Sequence, residues 1–279
     1  HDLRVLVDCS NGAASVMAQR ILNRYDMDVT YVFDKPNGLN INDHCGSTHL
    51  EVLGKLVAEG CYDVGIAFDG DADRCLAVDE NGNEIDGDMI MSLIASAMEE
   101  AGDLKNDGFV ATVMSNIGLH KYAEKRGFRV LTADVGDRNV REMMVKEGMV
   151  LGGEQSGHII LLNHMPTGDG QLTALHFLSI ISKYGEPVSQ LIAEVPHYPQ
   201  VLINVLGPYD AQEKQALING KAVQSAIAAE EKRLAGDGRI LVRPSGTEAL
   251  LRVMVEAPQE ETARGAAERI AEIIQNEQK

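Results

Sequence analysis

Three aspartates at alternate positions, Asp69, Asp71 and Asp73, are the residues of this sequence best suited to binding a metal ion. They follow residues 62–68, an apolar run that we interpret as a buried strand. Residues two apart in an extended chain point to the same side, so the three carboxylates should converge. Neighbouring anions repel one another unless a cation lies between them. Oxygen ligands suit a hard divalent ion, Mg²⁺ first and Ca²⁺ or Mn²⁺ next, so the spacing predicts a metal-binding loop.

The residues alone leave three other interpretations of this acidic loop open. It could be a solvated turn after a strand. An EF-hand loop starting at Asp69 would place Glu80 at its last position, but it needs glycine at its sixth, where Arg74 stands. A phosphatase of the strand-then-DxD type would use Asp69 as a nucleophile. The metal site is favoured because the loop follows the carboxyl end of a strand, where open α/β sheets bind ligands.

Two further polar stretches could bind a ligand. Residues 243–248 (RPSGTE) combine a guanidinium, two hydroxyls and a glycine between two predicted strands, which suits a phosphate dianion. In residues 152–158 (GGEQSGH), Glu154 and Ser156 could accept from and donate to vicinal hydroxyls. Arg138 opens a predicted helix and could face an anion. The plainer interpretations are ordinary turns, a surface arginine and, for His158, a structural histidine.

The elements that position these loops alternate between strand and helix. This order predicts an α/β fold with two consecutive βαβ-type mixed-sheet domains, followed by a smaller α+β C-terminal domain. We place the boundaries at 1–85, 86–197 and 198–279. Neither GxxxxGK[ST] nor GxGxxG occurs, so the sequence gives no support to a nucleotide-binding loop.

Composition narrows the classes of partner. The net charge of −17 over 279 residues argues against nucleic acid and anionic membranes, which reward a basic face. No apolar run approaches the ~20 residues needed to cross a bilayer. The four cysteines lack CxxC spacing and the sequence has no recognisable leader, which together predict reduced thiols in the cytoplasm.

Seven short stretches, in this order, resemble the α-D-phosphohexomutase superfamily over essentially the whole chain. Gln155 is the choice typical of its hexosamine phosphate branch, because phosphomannomutase-like relatives more often carry Met there. Ala249 and Asn139 depart from the pattern, since Pro and Tyr are usual at these positions. The matching stretches are 7–13 (VDCSNGA), 36–42 (PNGLNIN), 65–74 (GIAFDGDADR), 114–116 (MSN), 135–138 (VGDR), 153–158 (GEQSGH) and 243–248 (RPSGTE).

The resemblance implies a reaction and a set of roles. The reaction would interconvert glucosamine 6-phosphate and glucosamine 1-phosphate through a bisphosphate, with Mg²⁺ as cofactor. Arg74 and His158 would be catalytic. The implied metal ligands are Asp69, Asp71 and Asp73; the implied substrate contacts are Glu154, Ser156, His158, Arg138, Arg243, Ser245, Gly246 and Thr247.

The resemblance also implies a missing part. Family members have four domains around one cleft, and this chain resembles the second, third and fourth. Their phosphoserine lies in a Ser-His-Asn-Pro loop of the first domain, and no such loop occurs here. We therefore expect a fragment that is inactive alone and needs that N-terminal domain as a partner, with a homodimer also compatible. A phosphomannomutase or phosphoglucomutase, or a non-catalytic sugar-phosphate-binding fragment, remain the alternatives.

Overall fold

The computed structural model describes residues 2–208, 210–246 and 248–278. These residues form two compact units, one containing residues up to 115 and 119–196, the other containing 116–118 and 197 onward. The first unit holds a five-stranded and a four-stranded sheet, and the second holds a three-stranded sheet. In the described ranges, no helix is both long enough and apolar enough to span a membrane.

The first sheet has the order β2-β1-β3-β4-β5. Its first three strands are parallel, and β4 and β5 add as antiparallel hairpins. Every residue of β3 and β4 is buried, as expected for strands covered on both faces. The acidic loop is the connection between these two strands. The elements are β1 (Arg4–Asp8), α1 (Ala14–Leu22), β2 (Asp28–Val32), α2 (Leu50–Gly60), β3 (Val64–Phe68), β4 (Cys75–Asp79) and β5 (Glu84–Ile85).

The second sheet has the order β7-β6-β8-β9, parallel except for the antiparallel pair β8 and β9. Its two long helices, α3 and α6, begin at side-chain caps, Asp86 and Asp169, which accept from backbone N–H groups of the first turn. The elements are α3 (Gly87–Ala101), β6 (Gly108–Thr112), α4 (Ile117–Arg126), β7 (Arg129–Ala133), α5 (Asp137–Glu147), β8 (Leu151–Gly153), β9 (Ile159–Leu161), α6 (Gly170–Tyr184) and α7 (Val188–Ile192).

One continuous cluster of buried apolar side chains joins these two sheets. It runs from Val5 in β1 to Val195 and includes Phe68, Phe109 and Phe177, none of which is exposed to solvent. The two predicted α/β domains therefore pack around a shared core. A boundary at residue 85 stays a prediction from the sequence.

The second unit contains an antiparallel sheet of order β10-β12-β11, with helices covering one face. Its core consists of alternate strand residues, such as Leu251 and Val253, packed with apolar residues of α10. The predicted class, two mixed α/β sheets followed by a smaller α+β part, is confirmed. The elements are β10 (Gln200–Leu206), α8 (Ala211–Ile218), α9 (Lys221–Leu234), β11 (Arg239–Pro244), β12 (Leu250–Glu256) and α10 (Glu260–Asn276).

Candidate functional site

The acidic loop between β3 and β4 brings its three carboxylates together. One oxygen from each of Asp69, Asp71 and Asp73 lies within 4.8 Å of the other two. The cause differs from the expected one, because the chain turns here instead of staying extended. The N–H of Ala72 donates to the Asp69 carbonyl (3.1 Å), and Ala72 has a φ of 63°, in the left-handed region. The N–H of Arg74 closes the turn on Asp69 Oδ1 (3.2 Å).

The charges of this loop are incompletely compensated. Burial, with the nearby charges of Asp73 and Asp71 as further causes, raises the pKa of Asp69 to about 6. Arg74 Nε lies 3.8 Å from Asp69 Oδ2 and 3.9 Å from Asp73 Oδ1, too far for hydrogen bonds. Asp73 Oδ1 is buried without a hydrogen-bond partner. An all-oxygen triad with an unsatisfied buried oxygen fits a hard divalent cation.

His158 contacts this loop through the carboxylate of Asp73. Its Nδ1 lies 3.0 Å from Asp73 Oδ2, and its Nε2 accepts from the N–H of Gly168 (3.2 Å). Because Nε2 accepts, the ring proton lies on Nδ1 and is donated to Asp73. The residue is only 5% exposed. Both nitrogens are therefore engaged, an arrangement that favours an orienting role over the predicted catalytic and substrate-contacting role.

The loop that carries Glu154 and Ser156 is anchored on several sides. Glu154 Oε1 accepts from the N–H of Gly136 (3.0 Å), and Ser156 Oγ lies 3.5 Å from Glu154 Oε2. The amide of Gln155 donates to Asp86 Oδ2 (3.1 Å), the residue that caps α3. Gln155, the residue typical of the hexosamine phosphate branch, thus binds the residue that caps the N-terminus of α3.

Backbone contacts join the acidic loop to this second loop and to α6. The N–H of Cys75, just after the acidic loop, donates to the carbonyl of Gly157 in the second loop (3.1 Å), and the N–H of Gly170, the first residue of α6, donates to the carbonyl of Ala72 (3.0 Å). Gly157 has a φ of 92°, and a Cβ there would lie 2.4 Å from the Cys75 carbonyl oxygen. Only glycine allows this approach, so the relative position of the two loops is fixed by backbone geometry.

A cavity of about 390 Å³ unites three of the predicted residues, Arg74, Glu154 and Ser156. Thr112, Met114 and Val135 also line this cavity and were not among the predicted site residues. A signal was available, because these three residues lie at or just past the carboxyl ends of β6 and β7. A larger cavity of about 670 Å³ lies against α6 and contains none of the predicted residues, so its size alone does not make it the site.

Arg138 does not line the 390 Å³ cavity. Its side chain is 85% exposed, and its Nε lies 2.8 Å from Glu142 Oε1, one turn along α5. The hydrogen bond to Glu142 also raises the pKa of Arg138. The neighbouring Asn139 donates its side-chain amide to the carbonyl of Val135 (2.9 Å), which holds the turn before the helix. A substrate contact by Arg138 would require its side chain to leave Glu142.

The second unit contains the predicted phosphate loop, described except for Thr247. Glu248 N–H donates to Ser245 Oγ (3.2 Å), which leaves the hydroxyl proton of Ser245 available for an anion. Gly246 is exposed, and no heavy atom lies within 4 Å of where its Cβ would be. Burial lowers the pKa of Arg243, with the charge of Arg252 as the second cause. The site residue Thr247 lies outside the described residues.

Comparison with known proteins identifies the family. Residues 1–82, 86–198 and 203–273 match, in order, alpha/beta/alpha domain II, alpha/beta/alpha domain III and the C-terminal domain of phosphoglucomutase/phosphomannomutase. The chain therefore belongs to the phosphoglucomutase/phosphomannomutase family, which confirms the resemblance to α-D-phosphohexomutases.

Individual relatives with high sequence identity are phosphoglucosamine mutases. The chain is 48% identical over 275 residues to a phosphoglucosamine mutase of Lactobacillus delbrueckii subsp. bulgaricus, covering 99% of this chain and 60% of the relative. It is 49% identical over 275 residues to that of Shouchella clausii, covering 99% of this chain and 61% of the relative. The chain thus spans about 60% of the length of these curated relatives.

Solved structures share the fold. A phosphoglucomutase/phosphomannomutase family protein from Burkholderia thailandensis has a TM-score of 0.78 at 21% identity, over 99% of this chain and 61% of that one. Aspergillus fumigatus N-acetylphosphoglucosamine mutase, in complex with GlcNAc-6P and magnesium, has a TM-score of 0.77 at 21% identity, over 100% of this chain and 62% of that one. At this identity the likeness supports the architecture alone.

Proposed function

We propose that this chain supplies the metal-binding, sugar-binding and phosphate-binding parts of a phosphoglucosamine mutase. The proposed reaction interconverts glucosamine 6-phosphate and glucosamine 1-phosphate through a bisphosphate intermediate. Relatives at 48% and 49% identity are phosphoglucosamine mutases, which supports a hexosamine phosphate over a hexose phosphate.

The observation that carries the proposal is the convergence of Asp69, Asp71 and Asp73 beside Arg74, which lines one cavity with Glu154 and Ser156. A phosphoryl group needs charge neutralisation and positioning more than covalent chemistry from the protein. The three carboxylates and the adjacent guanidinium of Arg74 suit charge neutralisation. The carboxylate of Glu154 and the hydroxyl of Ser156, which line the same cavity, suit positioning.

In this proposal the three aspartates hold Mg²⁺. When bound, the ion would neutralise the transferring phosphate and act as a Lewis acid. Arg74 stabilises charge that develops beside it. His158 keeps the carboxylate of Asp73 oriented through its Nδ1–H. Domain boundaries near 85 and 197, a cytoplasmic location and a homodimer remain predictions.

The remaining residues orient the sugar phosphate. Glu154 accepts from a sugar hydroxyl and Ser156 donates to one, while the loop at Arg243, Ser245, Gly246 and Thr247 binds the phosphate that is not reacting. Binding energy from that distant phosphate helps to align the reacting end. Arg138 joins the substrate contacts only if its side chain leaves Glu142.

The phosphoryl carrier is the part that these 279 residues lack, since they contain no Ser-His-Asn-Pro loop. We therefore expect the chain alone to bind the bisphosphate and not to interconvert the monophosphates. Turnover would need the phosphoserine domain, supplied in the same polypeptide or added as a separate protein.

Isothermal titration calorimetry with glucosamine 1,6-bisphosphate tests this function. We expect binding by the 279-residue chain that strengthens with Mg²⁺, and weaker binding of mannose 1,6-bisphosphate. Asp71→Asn should remove the Mg²⁺ effect, whereas Asp26→Asn, at an exposed aspartate outside the triad, should keep it. An absence of bisphosphate binding with or without Mg²⁺ would overturn the proposal.

An activity assay separates the alternatives. A mutase should turn over only after the first domain of a relative is added, and a phosphatase should release inorganic phosphate from the monophosphates with this chain alone. Phosphate release by the chain, abolished in Asp69→Asn, would favour the phosphatase and contradict the mutase.

A further inference from the structure

Lys214 on α8 is a buried lysine that contacts the predicted phosphate loop. The residue is 4% exposed. Its Nζ donates to the carbonyl of Ser245 (2.8 Å) and to the carbonyl of Glu248 (2.5 Å). No carboxylate in the described part of the chain forms an ion pair with it. Carbonyl partners do not neutralise the charge of a buried ammonium, and burying such a charge is costly unless an anion lies nearby.

These two hydrogen bonds fix the direction of the loop's own donors. The carbonyl of Ser245 and the N–H of Gly246 belong to one peptide unit, and in a trans peptide they point in opposite directions. With the Ser245 carbonyl held on Lys214, the Gly246 N–H points away from the lysine. Gly246 is exposed and its Cβ position is open. The N–H is therefore presented where an anion has room to bind.

The neighbouring strands add further positive charge. Arg243 and Arg252 are direct partners in the β11–β12 ladder, so their side chains leave the sheet on the same face. That face is opposite the core, because Leu251 and Val253 on either side of Arg252 are buried in the core. Of the two arginines, Arg252 pairs with Glu248 at 3.2 Å. Three cations and one carboxylate thus surround the loop, an excess of two positive charges.

We propose that Lys214 is a positioning residue that orients the Gly246 N–H and supplies buried charge selecting a dianionic phosphate monoester over a monoanion. This role rests on the proposed function of the loop and deepens it. An excess of two positive charges matches a phosphate monoester, whose charge at pH 7 is about −1.5 to −2. A monoanion of the same shape would leave part of that charge uncompensated.

Two ligands of similar shape and different charge test this role. Glucosamine 6-phosphate and glucosamine 6-sulfate are titrated into the 279-residue chain at pH 7.5 by calorimetry. We expect the wild type to prefer the phosphate. Lys214→Met should weaken phosphate binding at least tenfold and sulfate binding much less, which narrows the preference. Lys221→Met, at an exposed lysine on α9, should bind both ligands as the wild type does.

Two conservative variants separate the hydrogen bonds from the charge. Lys214→Gln retains N–H donors without charge, so it should keep the loop ordered and still lose the preference for phosphate. Lys214→Arg retains the charge and should recover most of that preference. Both remain informative if Lys214→Met fails to fold, which circular dichroism and thermal unfolding would reveal.

Equal weakening of both ligands in folded Lys214→Gln, or an unchanged preference, would overturn the role of Lys214. If the wild type binds neither ligand, the proposed function of the loop fails first, and the role of Lys214 falls with it. The two failures are distinguished by the wild-type titration alone.

Discussion

Replacing Asp71 by asparagine should stabilise the metal-free chain and remove most of its response to Mg²⁺. The three carboxylates lie within 4.8 Å of one another, and Asp71 takes part in two of the three pairs. Asp71 is exposed, so the dielectric constant of water is the appropriate one. At 4.8 Å each pair then repels by about 0.86 kcal/mol, which gives about 1.7 kcal/mol for the two pairs.

This energy is large enough to measure. For a unit of this size, about 1.7 kcal/mol raises the midpoint of thermal unfolding by about 3–7 °C. The measurement is made by differential scanning calorimetry at low salt and pH 8, above the pKa of about 6 for Asp69, so that this carboxyl group is ionised. In the wild type, Mg²⁺ at a hundred times its Kd should add about 2.7 kcal/mol, and in Asp71→Asn most of that gain should disappear.

The matched control is Asp26→Asn, which changes the net charge by the same amount at an exposed aspartate outside the triad. It should leave both the metal-free midpoint and the Mg²⁺ response near wild type. A lower midpoint for metal-free Asp71→Asn would refute the reasoning, because it would mean that the carboxylates do not repel one another in the folded chain. An undiminished Mg²⁺ response would place the ion elsewhere.

Three further predictions concern residues around the site and in the core of the first unit. His158→Gln should weaken Mg²⁺ binding about 10–100-fold, because it disturbs the hydrogen bond that orients Asp73; an unchanged affinity by calorimetry would show that the contact is incidental. Gly157→Ala should lower the free energy of unfolding by about 2–4 kcal/mol in urea titrations, because the φ of Gly157 is 92° and a Cβ there would collide with backbone atoms. Gly246→Ala, where a Cβ would meet no atom within 4 Å, should change that free energy by less than about 0.5 kcal/mol. Burial lowers the pKa of His176 from 6.5, with the charge of His164 as a second cause. Just below pH 6.5 the unfolded chain therefore binds more protons than the folded chain, so the free energy of unfolding should fall as the pH drops through that window. His176→Asn should flatten this dependence in urea titrations from pH 7.5 to 5, and a slope equal to that of the wild type would contradict the assignment.

The long, periodic elements could be predicted from the sequence because their apolar residues recur at the period of the structure. The helix predicted to begin at Arg138 is observed as α5 (Asp137–Glu147), and the apolar run over 62–68 contains the buried strand β3 (Val64–Phe68). The short strand β9 and the helix α7 were not predicted from the sequence. Three to five residues hold too little of a repeating pattern to separate a strand or helix from a loop.

Helix α8 was missed for a different reason. Its buried positions are Lys214 and Ile218, so one of the two residues on its inner face is charged. A pattern that counts apolar residues cannot find a helix whose buried position is filled by an ammonium bound to carbonyls. For the same reason, the hydrogen bonds from Lys214 to the predicted phosphate loop were not predicted from the sequence.

The candidate site was predictable in its residue types and less so in its contacts. Asp69, Asp71 and Asp73 do converge, but through the left-handed turn at Ala72 and not through an extended chain. The bond between His158 and Asp73 joins residues 85 positions apart, a separation at which no spacing rule applies. Such contacts depend on how the two sheets pack, which local patterns do not encode.

The shared core of the two α/β sheets has a consequence for how the first unit melts. A backbone hydrogen bond from Cys75 to Gly157 joins the acidic loop to the Glu154 loop, and both sheets contribute to one buried apolar cluster, so opening one sheet would expose part of the other. Amide hydrogens of β3 and β6 should therefore exchange with deuterium at similar, slow rates, as one cooperative block. A ligand that contacts both loops would meet contacts at a fixed spacing, so any adjustment on binding would have to come from the ligand or from other parts of the protein.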